Sequence, residues 1–497
     1  MKYLISLDQG TTSSKTIIFD EHGTMVSMAQ KEITQIYPRP GWVEHDPIEI
    51  WQSQVNTARQ AITQGKIELS DIAALGIANQ RETIIAWDKK TSNPLCNAIV
   101  WQDRRTESNC TELRNENLET KIKEKTGLRI DPYFSGTKIS WILKNVSDAE
   151  FLLRKNRLAF GTVDSWLIWM LTDGKRHLTD ISNASRTMLL NIETGIWDNF
   201  LLSKFNIPSE TLPKINSSSE YFGHTQRNIF GKPIPICGVA GDQQSALFGQ
   251  TCFEPGIIKN TYGTGCFMLT HLADKLKYSK NGLITTRAAQ TSHNPCYALE
   301  GSVFIGGAVV QWIKDGLKAI SKSEEIEKLA LNVPDSGGVI FVPAFSGLGA
   351  PYWRPDLRGS ISGITRGTTI DNIAYAALES IAFQSCDLIK SMNIDLESNG
   401  MDRIRELRVD GGACANDLLL QIQSDLSGIP VVRPNIIETT ALGVAYLAGL
   451  KTGVFKDENF LKSHWKIKRI FYPKITKEQR LQKINVWEKA VNRLCQQ

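Results

Sequence analysis

The sequence predicts an α/β chain of two domains built to one plan, residues 1–250 and residues 251–497. Three observations predict it. Strand-like and helix-like segments alternate along the chain, against both the all-α and all-β classes. A hairpin turned on Gly and Thr opens the chain, and a second of the same design opens the later half. No low-complexity linker lies between the halves, so they are expected to share a cleft.

Taken in order, KYLISLDQG and SKTIIFDEHG are apolar runs joined by a small-residue turn, the signature of a β-hairpin. The stretch from Asp46 to Gln64 has the spacing of an amphipathic helix, and IAALGIANQ and IIAWDKKT read as strands. After a turn-rich passage beyond Asn206, PIPICGVAGDQQSALFGQ reads as strand, turn and helix. Thr251 to Gly256 marks the boundary, and PGIIKNTYGTGCFMLT repeats the opening hairpin. ELRVDGGACANDLLLQIQSDLSG is a strand, a Gly-Gly turn and a helix, and the basic stretch HWKIKRIFYPKITKEQR reads as a solvated helix or tail.

Composition narrows the function classes. At 497 residues with 41% hydrophobic and 22% charged residues, the chain has the make-up of an ordinary globular protein. Its formal charge of +5 is too weak and too dispersed to predict a nucleic-acid partner. No apolar run approaches the roughly 20 residues of a membrane span, and the start, MKYLISLDQG, does not read as a secretory leader. Nine cysteines without a CxxC pair fit reduced thiols, so a cytoplasmic location is expected.

Several turns carry residues suited to chemistry. In Asp8-Gln9-Gly10-Thr11-Thr12-Ser13-Ser14-Lys15, Gly10 permits a tight turn and close backbone approach. The hydroxyls and amides that follow can ring a phosphate, Asp8 can hold magnesium through water, and Lys15 can neutralise an oxygen. An ordinary polar turn, with Asp8 satisfying backbone donors, is the competing reading. Tyr262-Gly263-Thr264-Gly265 is its partner in the second hairpin. Asp410-Gly411-Gly412-Ala413-Cys414-Ala415-Asn416 lets a flat base or ribose lie on the backbone, unless Asn416 merely caps a helix.

Asp242, in Gly241-Asp242-Gln243-Gln244, ends a strand where a carboxylate serves either as a general base or as an N-cap. Arg81-Glu82 reads as a surface ion pair or as two groups converging on one ligand. Trp101 and Tyr133 read as core or as aromatic walls. There is no HExxH, GxSxG, dinucleotide fingerprint or P-loop, and the seven histidines are scattered. Phosphoryl transfer fits this inventory, because it needs positioning and charge neutralisation rather than a covalent nucleophile.

The motifs DQGTTSS, GIANQRET, NAIVWQDRRT, AGDQQSALFGQ, NTYGTGCFMLT, ALEGSVF and VDGGACAND occur in an order that resembles the FGGY carbohydrate kinases. YFSGTKISWILKN and GSISGITRGTTIDNIAYAALE are similar to that family's two signatures, and the resemblance runs from Tyr3 to about Gly453. It implies two actin-like (RNase H-like) domains with an interdomain catalytic cleft. It further implies ATP-dependent phosphorylation of glycerol to sn-glycerol 3-phosphate, with Mg2+ on the ATP phosphates. Arg81, Glu82, Tyr133, Asp242 and Gln243 would hold glycerol, walled by Trp101 and Phe267, with Asp242 as general base. Thr11, Thr12, Ser13, Lys15 and Thr264 would meet the ATP phosphates. Gly307, Gln311, Gly412 and Asn416 would surround the nucleotide, and Asp8 with Asp242 would position the metal. The glycerol pocket and first phosphate loop fall to residues 1–250, and the second loop and adenosine site to 251–497. A homodimer or homotetramer, with no nucleic acid and no membrane insertion, is the implied assembly.

Three positions depart from the family's pattern. Lys15 stands where many members have Arg, which keeps charge but loses bidentate contact. HTQRNIFGKP lacks the Gly-rich loop that binds fructose 1,6-bisphosphate in some members. Asn228 stands about where certain members carry a phosphorylatable histidine. Neither form of regulation is expected. A kinase of a pentulose or gluconate, and an inactive nucleotide-binding assembly protein, are the alternative readings. Arg81-Glu82 with Trp101 and Tyr133 favours glycerol, and the intact Asp8, Asp242 and phosphate loops favour activity.

Overall fold

A computed structural model of the chain describes residues 1–496. The opening apolar runs form a meander in which β1 (Tyr3–Gln9), β2 (Ser13–Asp20) and β3 (Met25–Glu32) pair antiparallel in turn. Two later strands, β4 (Ile72–Asn79) and β5 (Pro235–Gly241), join parallel to β1 and give the order β5-β4-β1-β2-β3. Leu4, Ile5, Ser6 and Leu7 are all buried, because helices cover both faces of this part of the sheet. One cover is α1 (Pro47–Gly65), started by Asp46, whose carboxylate accepts the Ile48 N–H at 2.8 Å.

The second half repeats the plan. There β6 (Ile257–Tyr262), β7 (Cys266–His271) and β8 (Tyr297–Val303) form the meander. The strands β9 (Glu406–Asp410) and β10 (Val431–Pro434) add parallel to β6. The connection from β5 to its helix α2 (Asp242–Gly249) contains no intervening turn; the strand runs directly into the helix. The basic stretch near the end is also not a solvated helix or tail throughout. Ile467–Phe471 is an edge strand antiparallel to β10, and Lys477–Cys495 is a helix whose Trp487 stacks on Phe383 of α3 (Ile370–Ser398) at 5.1 Å. The adjacent Lys468 and Arg469 suit an exposed sheet edge, which basic side chains protect from further pairing.

One element crosses between the halves. The helix α5 (Thr439–Thr452) follows β10 in sequence yet lies on the first sheet, against β1, β4 and β5 and beside α2. A glycine floor permits that approach: a Cβ at Gly76 or Gly238 would stand 2.5 or 2.6 Å from the Val444 carbonyl oxygen. Ser6, Ser245 and Ser219 donate to the α5 carbonyls of Ala441, Thr440 and Leu447, at 2.7, 2.6 and 2.8 Å. All nine cysteines are free, and among the described residues no helix is long and apolar enough to cross a membrane.

Candidate active site

On the first side of the cleft, β4 ends in a turn held by the Gln80 N–H to the Gln9 carbonyl at 2.7 Å. Glu82 there takes a φ of 60°, a left-handed conformation that costs a glutamate energy and is kept where the surroundings enforce it. Arg81 and Glu82 are each 2% exposed, which excludes a surface ion pair. Arg81 Nη1 and Nη2 donate to both Glu300 oxygens, at 2.6 and 2.8 Å. Nη1 also meets Gln244 Oε1 at 3.1 Å, and Nη2 meets the Tyr133 hydroxyl at 3.5 Å. Arg186, wholly buried, bonds Glu82 Oε1 through Nε at 2.6 Å and Glu300 Oε1 through Nη2 at 3.1 Å. Two arginines and two glutamates thus share one dry enclosure, where a missing partner would leave an uncompensated charge. Burial pushes the Glu82 carboxyl up, opposed by Arg186 and Arg81.

Asp242 stands beside this cluster, with Oδ1 3.2 Å from Arg81 Nε. It is the first residue of α2 and Gly241 is the cap, so its carboxylate is not the N-cap of that helix. Burial raises its affinity for a proton, against the pull of Arg81 and Lys259. Lys259, fully buried on β6, bonds Gln243 Oε1 and, at 2.8 Å, the Thr261 hydroxyl. Burial brings its ammonium down to about 8, against Asp410 and Asp242. The Trp101 ring meets Tyr133 at 5.5 Å and Phe267 at 6.2 Å, so aromatic rings from both halves wall one space.

The first Gly/Thr loop is closed by the Gly10 N–H on the Ser13 carbonyl at 3.0 Å. Trp101 Nε1 donates to Thr11 Oγ1 at 2.9 Å and ties this loop to the aromatic wall. Thr12 is exposed, and the Ser13 hydroxyl accepts from Gln30 at 2.9 Å. Lys15, opposite Asp8 in the hairpin, is paired with Glu438 at 2.6 Å. No described residue donates a hydrogen bond to the Asp8 carboxylate, so it is not a turn cap. Burial raises Asp8 to about 7, with Glu438 and Asp242 adding and Lys15 opposing.

In the second loop the Thr264 carbonyl accepts from the Gly306 and Ala308 N–H groups at 2.8 and 3.1 Å, and the Gly307 N–H bonds the Gly263 carbonyl at 2.8 Å. Gly411, at a φ of 85°, presses on the same loop: a Cβ there would lie 2.6 Å from the Tyr262 carbonyl oxygen. Gly412 faces open space. Asn416 does cap a helix, since its Oδ1 accepts the Leu419 N–H of α4 (Asp417–Ser427) at 2.8 Å. Gln311 is exposed and bonds Asp315 on its own helix.

The structure therefore brings Arg81, Glu82, Tyr133, Trp101, Phe267 and Asp242 together, with Gln243 next to Asp242 and held by Lys259, and Thr11 linked through Trp101. Sequence reasoning missed Arg186, Glu300, Lys259 and Glu438 as partners of these groups. The available signal was a charged residue inside an apolar strand, as in YALEGSV and IIKNTY.

Two family models cover most of the chain: the N-terminal domain of the FGGY family of carbohydrate kinases over residues 3–249, and its C-terminal domain over residues 258–452. The chain belongs to the FGGY family of carbohydrate kinases. It is 57% identical over 491 residues to the glycerol kinases of Polaromonas sp. strain JS666 and Albidiferax ferrireducens, covering 99% of this chain and of each of them. Its fold is similar to that of Plasmodium falciparum glycerol kinase solved with ADP, at a TM-score of 0.92 and 38% identity over 99% of this chain and 98% of that one. Xylulose kinase from Lactobacillus acidophilus shares the fold at a TM-score of 0.88 and 24% identity, over 100% of this chain and 99% of that one. The two-domain, actin-like architecture is thus that of the sugar kinases.

Proposed function

We propose that this chain transfers the γ-phosphoryl group of ATP to glycerol and forms sn-glycerol 3-phosphate and ADP. The observation that carries the reading is the pairing of Asp242 with Arg81 at 3.2 Å beside Tyr133, Trp101 and Phe267. Glycerol offers three hydroxyls and little apolar area, so recognition rests on fixed donors and acceptors between ring walls. The 57% identity to glycerol kinases and the likeness to one solved with ADP support this choice of substrate and nucleotide.

In this reading Asp242 accepts the proton of the attacking hydroxyl as its oxygen bonds the γ-phosphorus and the bridging oxygen departs with ADP. A carboxylate whose proton affinity is raised by burial suits that task. Thr11, Thr12, Ser13 and Thr264 present hydroxyls and amides to the phosphates, and Gly307, Gln311, Gly412 and Asn416 line the nucleotide. The division of labour follows residues 1–250 and 251–497. Asp8 and Asp242 are hard oxygen donors, with the charge of Asp242 acting on Asp8, and among the described residues no cluster of three metal-ligating side chains forms. That donor set fits Mg2+, which is held by one or two carboxylates while keeping waters and substrate phosphates. When bound, the ion supplies charge neutralisation at the phosphate oxygens; Asp8 and Asp242 would hold it.

The test is ADP release by the purified protein with ATP and Mg2+, comparing glycerol, xylulose, ribulose, gluconate and no acceptor. Strong release with glycerol alone is expected. Release with a sugar acid or pentulose instead would keep the phosphate loops and sink the roles given to Arg81, Glu82 and Trp101.

A further inference from the structure

We propose that Arg186 and Glu300 are positioning residues for substrate recognition: from opposite halves of the chain they clamp Arg81 and Glu82 into the one arrangement that can read the hydroxyls of glycerol. The inference deepens the functional reading above and rests on it. A guanidinium has five N–H donors. Those of Arg81 face Glu300 twice, Gln244, Tyr133 and Asp242. The two Glu300 bonds are the short ones, at 2.6 and 2.8 Å, and the 3.5 Å approach to Tyr133 is the longest. Arg81 is therefore anchored at its back by Glu300, and the side facing Tyr133 and Asp242 is where a substrate oxygen can compete.

Glu82 is arranged in the same way. Arg186 Nε holds Oε1 at 2.6 Å, while no described residue donates to Oε2, which stays open to a ligand hydroxyl. Arg186 also carries a buried Nη1 with no partner among the described residues, and its guanidinium lies 5.5 Å over the Tyr133 ring and 5.3 Å over Phe134. It thus fixes the carboxylate and backs the aromatic wall at once. Glu300 sits on β8 of the second sheet, whereas Arg81, Glu82 and Arg186 belong to the first half. The clamp is complete only when the halves are seated on each other. Arg81, Arg186, Glu300, Tyr133 and Lys138 are the charged and titratable groups that act on Glu82 in this enclosure.

The test compares wild type with Arg186→Gln, Arg186→Lys and Glu300→Gln in steady-state kinetics, varying glycerol and ATP separately. Circular dichroism and thermal melting verify the fold of each. Glu300→Gln keeps shape and volume, so it reports even where Arg186→Gln does not fold. Arg186→Gln and Glu300→Gln are expected to raise the KM for glycerol at least 10-fold, with the KM for ATP within twofold and kcat within about threefold. Arg186→Lys should recover part of the loss, since an ammonium still pairs with Glu82 but not with both carboxylates. A merely structural role would lower kcat and raise both KM values together, and would overturn the proposal. So would a glycerol KM that stays within twofold in folded variants of an active enzyme. A wild type that turns over nothing with glycerol would overturn the functional reading itself, a separate outcome.

Discussion

The two sides of the cleft handle charge in opposite ways. Around the Arg81–Glu82 turn, Arg81, Glu82, Arg186 and Glu300 are 0–2% exposed and bonded to one another. At the two Gly/Thr loops, Lys15 and Glu438 are 18% and 29% exposed, and the Thr264 hydroxyl and Asp8 carboxylate have no partner among the described residues. The difference matches what each ligand of the proposed reaction would bring. Glycerol is neutral and small, so the groups proposed to recognise it need to be oriented before it arrives, and burial within the Arg81, Glu82, Arg186 and Glu300 cluster provides that. A triphosphate supplies its own charge, so loops of amides and hydroxyls would suffice to receive it.

The two sides should differ most in stability. Glu300→Ala strands two arginines in a dry enclosure and is expected to cost about 3–5 kcal/mol. Glu438→Ala removes a partly exposed pair and is expected to cost no more than about 1 kcal/mol. Urea unfolding of both variants checks this, and equal losses would show that the sides do not differ. A pH series sharpens it. Burial raises the Glu300 carboxyl, but Arg186 and Arg81 outweigh burial and hold it down at about 2, below its ordinary 4.5. Its folded value is the lower one, so its contribution is full above about 4.5 and is lost as pH falls through 2. The stability gap between wild type and Glu300→Gln should be constant from neutral pH down to about 5 and narrow on further acidification.

The next effect lies where the two sides meet. Asp242→Asn keeps the shape of the side chain and removes its ability to take a proton. It is expected to lower kcat about 10³-fold, within the range of general-base contributions. Glycerol KM should move only a few-fold, because Arg81 remains clamped by Glu300. Unchanged kcat would remove Asp242 as the base.

Much of this was legible in the sequence for a physical reason. Tight Gly/Thr turns between apolar runs are local, so both hairpins and the strand-to-helix start of α4 could be read directly. Asp242 and the Arg81-Glu82 pair stood out because charge at a strand end is chemically conspicuous. Arg186 lies 104 residues from Glu82, and Glu300 lies 219 residues from Arg81; although Glu300 falls within ALEGSVF, nothing local in either run names the partner it meets. Only the fold brings them together. The crossing of α5 onto the first sheet was equally invisible, since nothing local in TTALGVAYLAGL says which sheet it covers.

The smallest predicted effect concerns the bond between the two sides. Trp101 packs on Tyr133 and Phe267 while its Nε1 donates to Thr11 in the first Gly/Thr loop at 2.9 Å. Trp101→Phe keeps an aromatic wall and deletes that donor, a loss of about 1 kcal/mol, or roughly fivefold. If one hydrogen bond sets both the wall and the loop, the KM values for glycerol and ATP should rise together by about that factor. Thr11→Val removes the acceptor instead and should reproduce the ATP effect, and the double variant should be no worse than either alone. A glycerol effect without an ATP effect would mean that the enclosed side and the open side are set independently, and that Trp101 serves only as a wall.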